Sequence, residues 1–170
     1  MQLMQRDFCA ENAQEVKELY HTAFPRKERT AWRKLVRAQK KGECEIRSYF
    51  NGETFVGFTA SLREAEFEYL FFFAVKGGER GKGYGSKILS LFTASCGEIP
   101  IVLDIEAIEA NAPNLPEREK RKTFYERNGF CDAAFRYTAC GVTYDALYYK
   151  SFPKEAYEAF VKERVKKFRA

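Results

Sequence analysis

The sequence predicts an α/β fold in which a central mixed sheet of about seven strands is flanked by helices. Segments in which apolar residues recur at helical spacing alternate with segments in which every second residue is apolar, as in strands. Three of these strand-like segments follow one another in mid-chain, as in a meander. The 16 Phe and 10 Tyr residues favour strands and fill cores. The 170 residues contain no repeat and no low-complexity linker, so a single domain over residues 1–170 is expected.

The first quarter of the chain predicts a strand followed by two helices. Residues 2–8 suit the strand. From Ala13 the apolar residues recur at helical spacing, with Asn12 as the expected N-cap, and Pro25 ends the helix. A second helical segment follows and stops before Gly42, a residue type common just after a helix.

The next segment predicts a three-stranded meander. Residues 43–49 and 56–62 alternate with period two, and Asn51-Gly52 between them predicts a tight hairpin turn with positive φ at both central residues. A third strand is expected at residues 67–75, and its second half is apolar on both faces, as in a strand covered on both sides.

The remaining elements alternate between helix and strand. The alternation completes the order β-α-α-β-β-β-α-β-α-β-β-α. In sequence, they are a helix after residues 77–85 with Ile88, Leu89, Leu91, Phe92 and Cys96 buried, a strand at 99–105, a charged helix ending at Asn128-Gly129, strands at 131–137 and 142–150, and an amphipathic helix at 153–168 with Tyr157, Phe160, Val161, Val165 and Phe168 aligned.

Cysteine and histidine usage argues against a metal site. The five cysteines are scattered, no C-x-x-C occurs, and the single histidine is His21. The usual zinc spacings are therefore excluded, and no metal ligand is predicted. An odd number of cysteines indicates a reducing, cytoplasmic environment, and each thiol is expected to be buried and inert.

Charge and hydropathy limit the partners. Residues 1–8 lack the apolar region of a signal peptide, and the apolar run at 70–75 is too short to cross a bilayer, so no membrane association is expected. The net charge of +5 comes from Lys and Arg residues dispersed among Glu residues. This pattern favours a small polyphosphate cofactor over nucleic acid, and no nucleic-acid partner is predicted.

The segment between the third meander strand and the next helix is rich in glycine and basic residues. Glycines allow backbone amides to approach a ligand closely, and a helix N-terminus offers unpaired N–H groups at the positive end of its dipole. Residues 77–86 therefore predict an anion site that suits a pyrophosphate.

Two other phosphate loops fit this segment less well. Walker A requires four residues between its first glycine and the Gly-Lys pair, but Gly77 lies only four positions before Gly81. The dinucleotide fingerprint would place Ser86 at its third glycine and would follow the first strand of a βαβ unit. An acidic residue, Asp104 or Glu106, does lie at about the distance that this fingerprint requires, so it stays an alternative.

Two motifs resemble the GNAT superfamily of acetyltransferases. The loop Arg80-Gly81-Lys82-Gly83-Tyr84-Gly85 is similar to its (Q/R)-x-x-G-x-(G/A) loop, and Val75 lies five residues before the arginine, as is usual there. Residues 124–130, FYERNGF, resemble its F-Y-x-x-x-G-F segment. The order of elements matches over nearly the whole chain. The resemblance implies a GNAT-like sheet that is splayed between its fourth and fifth strands.

The resemblance also implies acetyl-coenzyme A as co-substrate. Its pantetheine arm would pair with the backbone of the strand before the loop, and its pyrophosphate would be held by loop amides, with Arg80 opening the loop and Lys82 adding a phosphate contact. The implied cofactor-binding residues are Phe73, Ala74, Val75, Arg80, Gly81, Lys82, Gly83, Tyr84, Gly85 and Ser86.

In this superfamily an amine attacks the thioester directly, and a tyrosine after the fifth strand commonly supports the leaving thiolate. Tyr125 occupies that place. The proton of the incoming ammonium would be taken by Glu106, ranked first, or Glu68, ranked second, with Tyr69 or a water chain as alternatives. An Asn contact to the cofactor arm is also implied, with Asn111 and Asn114 left open.

The expected function is acetyl transfer from acetyl-CoA to a primary amine of a small molecule or peptide. The segment 24–29 would help to form the wall of the acceptor site. The alternative is a non-catalytic module that binds acyl-CoA as a sensor or interaction domain. A cytoplasmic monomer or homodimer is expected.

Overall fold

The computed structural model describes residues 2–165, and within that range it contains seven strands and five α-helices in the predicted order. The α/β class predicted from the sequence is confirmed. The elements are β1 (Leu3–Asp7), α1 (Ala13–Ala23), α2 (Trp32–Lys40), β2 (Glu45–Asn51), β3 (Thr54–Arg63), β4 (Glu68–Val75), α3 (Tyr84–Cys96), β5 (Ile101–Glu106), α4 (Leu115–Arg127), β6 (Cys131–Ala139), β7 (Val142–Tyr149) and α5 (Lys154–Phe160).

The strands form one sheet in the order β1-β2-β3-β4-β5-β7-β6. By its contacts the chain divides into two compact units. The first takes in the described chain up to Arg63 together with Leu70–Gly97, and the second takes in Glu64–Tyr69 and the described chain from Glu98 onward. The single domain and the splay of the sheet stay predictions.

Aromatic side chains fill the core of the first unit. Tyr20 of α1 is fully buried, its ring meets Phe72 edge to face at a centroid distance of 4.8 Å, and its hydroxyl donates to the Thr30 carbonyl at 2.7 Å. Such ring pairs stabilise a core beyond the area that they bury. The helical stripe from Ala13 therefore packs α1 against the sheet as its spacing predicts.

Asn12 precedes α1 as predicted, but its side chain does not cap the helix. The side-chain amide donates to the Asp7 carbonyl at 2.8 Å and to Ser48 Oγ at 2.9 Å, and its oxygen accepts from the Cys9 N–H at 3.0 Å. Because Asn12 is 4% exposed, both ends of its amide require partners. The residue therefore ties the end of β1 to β2.

The β2–β3 hairpin turns one residue later than predicted. Asn51 pairs with Thr54, so Gly52 and Glu53 form the loop, and of these two only Gly52 has positive φ, at +61°. The register shifts between Tyr49 and Phe50, where β3 carries one extra residue. That bulge moves the turn away from Asn51-Gly52, and the predicted turn with two positive φ values is wrong here.

The β6–β7 hairpin has the type of turn that the sequence predicts for the β2–β3 hairpin. Strand β7 pairs antiparallel with both β5 and β6, and Ala139 pairs with Val142 across a two-residue loop. Cys140 and Gly141 in that loop have φ of +50° and +76°. Both central residues are thus left-handed, as in a type I′ hairpin, although the sequence there lacks the usual Asn-Gly signal.

Four side chains are exposed where the sequence predicts burial. Leu91, predicted on the buried stripe of α3, is 38% exposed. Cys44 and Cys96 are buried, but Cys9, Cys131 and Cys140 are exposed, so the expectation of five buried thiols is wrong for these three. Cys9 lies in the loop after β1, Cys131 lies on the edge strand β6, and Cys140 lies at the tip of the β6–β7 hairpin. At such positions no core is available to cover a side chain.

The last described segment is the helix α5, which continues as a wider π-helical turn. Tyr157, Phe160, Val161 and Val165 are buried as predicted, and residues Val161–Val165 form a π-helical turn after α5. Phe168, predicted on the same stripe, lies outside the described residues. Among the helices of residues 2–165, none combines the length and apolarity that a membrane span requires.

Candidate functional site

The glycine-rich loop joins β4 to α3 within the first unit. A short 3-10 turn, Gly77–Glu79, leads from the strand, and Gly83 directly precedes the helix. Gly81 and Gly83 have φ of +77° and +79°, a region that other residues enter only at a cost. Apart from the adjoining residues, no atom of the described chain lies within 4 Å of a Cβ built at either position. The loop is therefore open, and its glycines are required by the path of the backbone.

The first turn of α3 presents backbone N–H groups beside this loop. The first internal bond of the helix joins the Lys87 N–H to the Gly83 carbonyl at 3.3 Å, so the amides of Tyr84, Gly85 and Ser86 have no helical acceptor. Within residues 2–165 no side chain caps this end. Three amides at the positive end of a helix dipole form a site that fits a phosphate or pyrophosphate group.

The two basic side chains of the loop make contacts inside it. Arg80 Nε donates to the Val75 carbonyl at 3.2 Å, which folds the loop back on the end of β4. Lys82 Nζ lies 3.1 Å from Glu79 Oε2, and the Lys82 side chain is 53% exposed. Arg80 therefore shapes the loop, whereas Lys82 is exposed enough to turn toward an anion.

Tyr84 belongs to the core. It is 5% exposed and packs in one cluster with Tyr49, Val56 and Ile88. Of the residues predicted to bind the cofactor, Tyr84 therefore offers only its backbone N–H, while its ring anchors the first turn of α3.

Gly57 in β3 supports the end of β4, a role that was not predicted from the sequence. A Cβ at Gly57 would lie 2.5 Å from the Ala74 carbonyl oxygen and 2.9 Å from Ile88 Cδ1. Gly57 thus lets the backbones approach closely beside Phe73 and Val75, which are half-buried. A lone glycine within a strand pattern is the signal that could have identified this position.

Tyr125 is the buried residue of α4. It is 8% exposed, whereas the neighbouring Phe124 is half-buried. Its ring meets Phe130 edge to face at 5.6 Å. Burial raises the pKa of Tyr125 to about 12, although the positive charge of Arg121 acts in the opposite direction. The phenol is therefore protonated at neutral pH and able to donate a hydrogen bond.

Glu106, the first-ranked base, is held by the start of α4. Arg118 lies 3.1 Å from its Oε1, and Arg121 and the Asn114 amide lie 3.5 Å and 3.2 Å from its Oε2. Glu106 is 7% exposed. Both carboxylate oxygens are engaged, so the arrangement anchors α4 to β5. Of the two asparagines left open, Asn114 is used in this anchor and Asn111 is exposed.

Glu68 and Tyr69 begin β4 inside the second unit. Glu68 is 2% exposed, and its backbone N–H donates to the Pro100 carbonyl at 2.8 Å. The Tyr69 hydroxyl donates to Asp104 Oδ2 at 2.5 Å. The sequence suggests Asp104 only as a possible acidic residue of a dinucleotide fingerprint. The contact with Tyr69 was not predicted, because no local pattern links residues 35 positions apart.

No three His, Cys, Asp or Glu side chains within residues 2–165 converge as metal ligands. A comparison with family models gives no match to this chain, and a comparison with curated proteins gives none either.

Solved structures do match. A protein assigned to the GNAT family of acetyltransferases from Bacteroides thetaiotaomicron has a TM-score of 0.77 at 21% identity, covering 98% of this chain and 99% of that one. An aminoglycoside 6′-N-acetyltransferase in complex with coenzyme A has a TM-score of 0.66 at 14% identity, covering 85% and 95%. A spermidine/spermine N-acetyltransferase from Vibrio cholerae has a TM-score of 0.61 at 11% identity, covering 86% and 93%. The chain therefore has the fold of the GNAT acetyltransferases.

Proposed function

We propose that the protein is an N-acetyltransferase that moves an acetyl group from acetyl-CoA to a primary amine of a small molecule or peptide. One observation carries the proposal: within residues 2–165 the open glycine loop delivers three amides that have no helical acceptor at the N-terminus of α3. A diphosphate ester is the ligand that such a terminus suits. The coenzyme A bound to the aminoglycoside acetyltransferase of similar fold supports the same ligand.

The residues of the first unit fit the role of holding the co-substrate. The amides of Gly81, Gly83, Gly85 and Ser86 would bind the pyrophosphate, and Lys82 would add charge at 53% side-chain exposure. The backbone of Phe73, Ala74 and Val75 would pair with the pantetheine arm. Acetyl-CoA would supply a thioester whose carbonyl carbon is open to attack by nitrogen.

The second unit supplies the candidate catalytic residues. In the proposed reaction the amine nitrogen forms a bond to the carbonyl carbon, the carbon–sulfur bond breaks, and Tyr125 supports the departing thiolate through its hydroxyl. Before attack, the ammonium group must lose a proton. Glu106 and Glu68 stay the proposed acceptors, and the three donors on Glu106 support an anchoring role for it more than a basic one.

A non-catalytic acyl-CoA-binding module is the second candidate. The observation that favours it is the burial of Tyr125 and its pKa of about 12, because a packing tyrosine has the same environment. Whichever of the two functions the protein has, the exposed thiols of Cys9, Cys131 and Cys140 support its placement in a reducing cytoplasm. We propose a monomer or homodimer with no nucleic-acid or membrane partner.

Calorimetry with acetyl-CoA, NAD and ATP tests the ligand. At about one hundred times its Kd, acetyl-CoA should stabilise the fold by about 2.7 kcal/mol, and the other two nucleotides should have little effect. No binding at millimolar acetyl-CoA rejects both candidates. Thiol release with a panel of primary amines then separates them, because the sensor would bind acetyl-CoA without turnover.

A further inference from the structure

Basic residues are concentrated in the segment between α1 and β2. Along most of the chain they are dispersed among acidic residues, but residues 26–41 contain eight Lys and Arg and a single acidic residue, Glu28. This segment therefore carries a net charge of +7, whereas the whole chain carries +5, and the rest of the chain is net negative. The positive charge of the protein thus comes from one segment of the first unit.

Helix α2 presents most of this charge on its outer side. The inner side holds the helix in place, because Leu35 and Ala38 are buried and Gln39 Oε1 accepts from the Ile46 N–H of β2 at 2.5 Å. The basic residues fall at helical spacings that put them on the opposite side, and all of them are exposed. This basic face of α2 consists of Arg33, Lys34, Arg37, Lys40 and Lys41, the last of which stands at the end of the helix.

The charges of the basic face are not balanced within the described part of the fold. Over residues 2–165 the one carboxylate within ion-pair distance of the face is that of Glu43, which lies 3.8 Å from Lys41. Arg37 lies one helical turn from both Arg33 and Lys41, and like charges at this spacing destabilise a helix. The face therefore stores repulsion that a negatively charged molecule would relieve.

The start of α2 adds a second unfavourable arrangement. The helix follows Ala31, and among the described residues no side chain caps it. Its first turn contains Arg33 and Lys34 and no acidic residue, so positive side chains stand at the positive end of the helix dipole. A helix that only faces solvent gains stability from acidic residues in the first turn and from Glu–Lys pairs. Because α2 has neither, its basic face is better suited to binding than to stabilising the helix.

The surroundings of the basic face disfavour nucleic acid and membranes. The face itself contains no aromatic residue on which a base could stack, and the nearby Trp32 packs inward against Tyr20 at a ring-centroid distance of 5.6 Å. A helix that binds a membrane surface buries its apolar side in the lipid. In α2 that side, with Leu35 and Ala38, is already buried in the fold. An acidic protein segment is the polyanion that remains.

The size of the basic face limits the length of such a segment. From Arg33 to Lys41 the helix rises about 12 Å, a distance that about four residues of extended chain cover. Two exposed carboxylates, Glu43 and Glu45, follow the end of the helix and would repel a polyanion that continued past it. We propose that the basic face of α2 is a docking surface for a short acidic segment of a partner protein. This inference goes beyond the proposed function and does not require acetyl transfer.

Hexaglutamate that is blocked at both ends tests the surface, and because it has no primary amine it cannot serve as an acceptor. At low ionic strength it should bind in calorimetry and shift the backbone amide resonances of residues 33–41, and the neutral hexaglutamine should do neither. Binding should weaken about tenfold or more as the salt concentration is raised toward about 0.5 M, because salt screens exposed charges. No binding of hexaglutamate, or equal binding of hexaglutamine, would overturn the proposal.

A charge reversal on the face tests it against general attraction to a basic protein. Arg37→Glu should weaken hexaglutamate binding about tenfold or more, because charge-assisted bonds are lost and a repulsive charge is added. The matched control, Lys120→Gln combined with Arg127→Gln, makes the same change in net charge at exposed positions of α4 and should bind like the parent. Parental affinity in Arg37→Glu, or an equal loss in the control, would contradict the docking surface.

The same variant separates binding from stability. A glutamate at position 37 lies one turn from both Arg33 and Lys41, so Arg37→Glu should unfold at the same urea concentration as the parent or at a higher one. Loss of binding together with undiminished stability supports a surface kept for a partner. A variant that loses both would show that Arg37 holds the fold, and the proposal would fall.

Two other polyanions test the class of partner. A dodecameric oligothymidylate that binds residues 33–41 more tightly than hexaglutamate would overturn the assignment to an acidic protein segment. Acetyl-CoA also carries phosphate groups, and at saturation it should leave the affinity for hexaglutamate unchanged. Displacement of the peptide would assign the basic face to the co-substrate instead. If the protein binds hexaglutamate at α2 but no acetyl-CoA, the proposed function fails and the docking surface stands.

Discussion

Glu106 of β5 and Arg118 of α4 form an ion pair at 3.1 Å in which the two side chains are only 8% and 11% exposed. Glu106→Gln leaves the guanidinium without this buried counter-charge. Loss of one partner of a buried pair costs about 3–5 kcal/mol. Urea unfolding should show a loss toward that range, whereas Asp132→Asn, which breaks the more exposed pair with Lys122, should lose about 0–1 kcal/mol. Equal losses in the two variants would contradict the anchoring role.

A basic role for Glu106 makes a separate prediction on the pH profile. If its carboxylate accepts the proton of the ammonium group, Glu106→Gln should flatten the acidic limb of kcat/KM. A variant that is less stable but keeps the limb assigns Glu106 to anchoring alone.

Gly83 and Gly42 offer a matched test of the phosphate site. Both lie in the first unit with φ of +79° and +70°, and both have open space around the Cα. Aspartate at either position should therefore cost a similar stability, about 1–2 kcal/mol. Gly83→Asp also places a negative charge beside the α3 amides, and it should abolish acetyl-CoA binding in calorimetry. A Gly42→Asp variant that lost binding to the same extent would count against the loop.

Tyr125→Phe tests the proposed acid while keeping the ring. It should bind acetyl-CoA almost like the parent and lose about 10²–10⁴-fold in kcat, the range of general-acid catalysis. Tyr49→Phe is the control, because it removes another buried hydroxyl, one bonded to Thr59 at 3.1 Å. Steady-state kinetics should show a parental kcat for that control. A kcat within about twofold of the parent for Tyr125→Phe removes this residue from the mechanism.

The raised pKa of Tyr125 predicts that the protein loses stability at alkaline pH. The folded pKa of about 12 lies above the unfolded value of 10, so between these values the unfolded state binds fewer protons than the folded state. Stability is therefore fully present below pH 10 and falls as the pH rises toward 12, by about 2–3 kcal/mol from this group. Urea unfolding at pH 9 to 11.5 should show a smaller fall for Tyr125→Phe. Parallel curves for the two proteins would place the phenol in a more solvated environment.

The positive φ of Cys140 predicts that a substitution at this position stabilises the protein. Cys140 has φ of +50° at the first position of a turn that requires two left-handed residues. Asparagine tolerates this region better than cysteine, so Cys140→Asn should raise stability by about 0.5–1 kcal/mol. Thermal unfolding measures the gain, and Cys131→Asn, at an exposed strand position with no such φ, should show none. A Tm unchanged by Cys140→Asn would mean that the turn relaxes instead.

The sequence predicts the order of the elements because period, caps and glycines are local signals. The helix after Gly83 and the stop at Gly129, with φ of +88°, both follow from residues next to them. The position of the first hairpin turn did not follow, because the bulge opposite Tyr49 and Phe50 depends on strand pairing.

The residues of the candidate site also fall into those that a local motif marks and those that only distant contacts place. The glycine loop is contiguous, so its motif carries its geometry. The environment of Tyr125 depends on Phe130 and on the end of α4, and the phenols that donate to Asp104 come from 33 to 53 residues away. Contacts at such separations follow from the topology of the sheet, and no pattern along the chain marks them.

The two buried thiols, Cys44 and Cys96, both lie in the first unit. With Cys9, Cys131 and Cys140 changed to serine, every remaining cysteine reports on that unit. Alkylation by a maleimide then requires the first unit to open, and its rate relative to that of a free thiol gives the free energy of that opening. The slowing of alkylation by acetyl-CoA would measure how strongly occupation of the glycine loop stabilises the closed form of the unit.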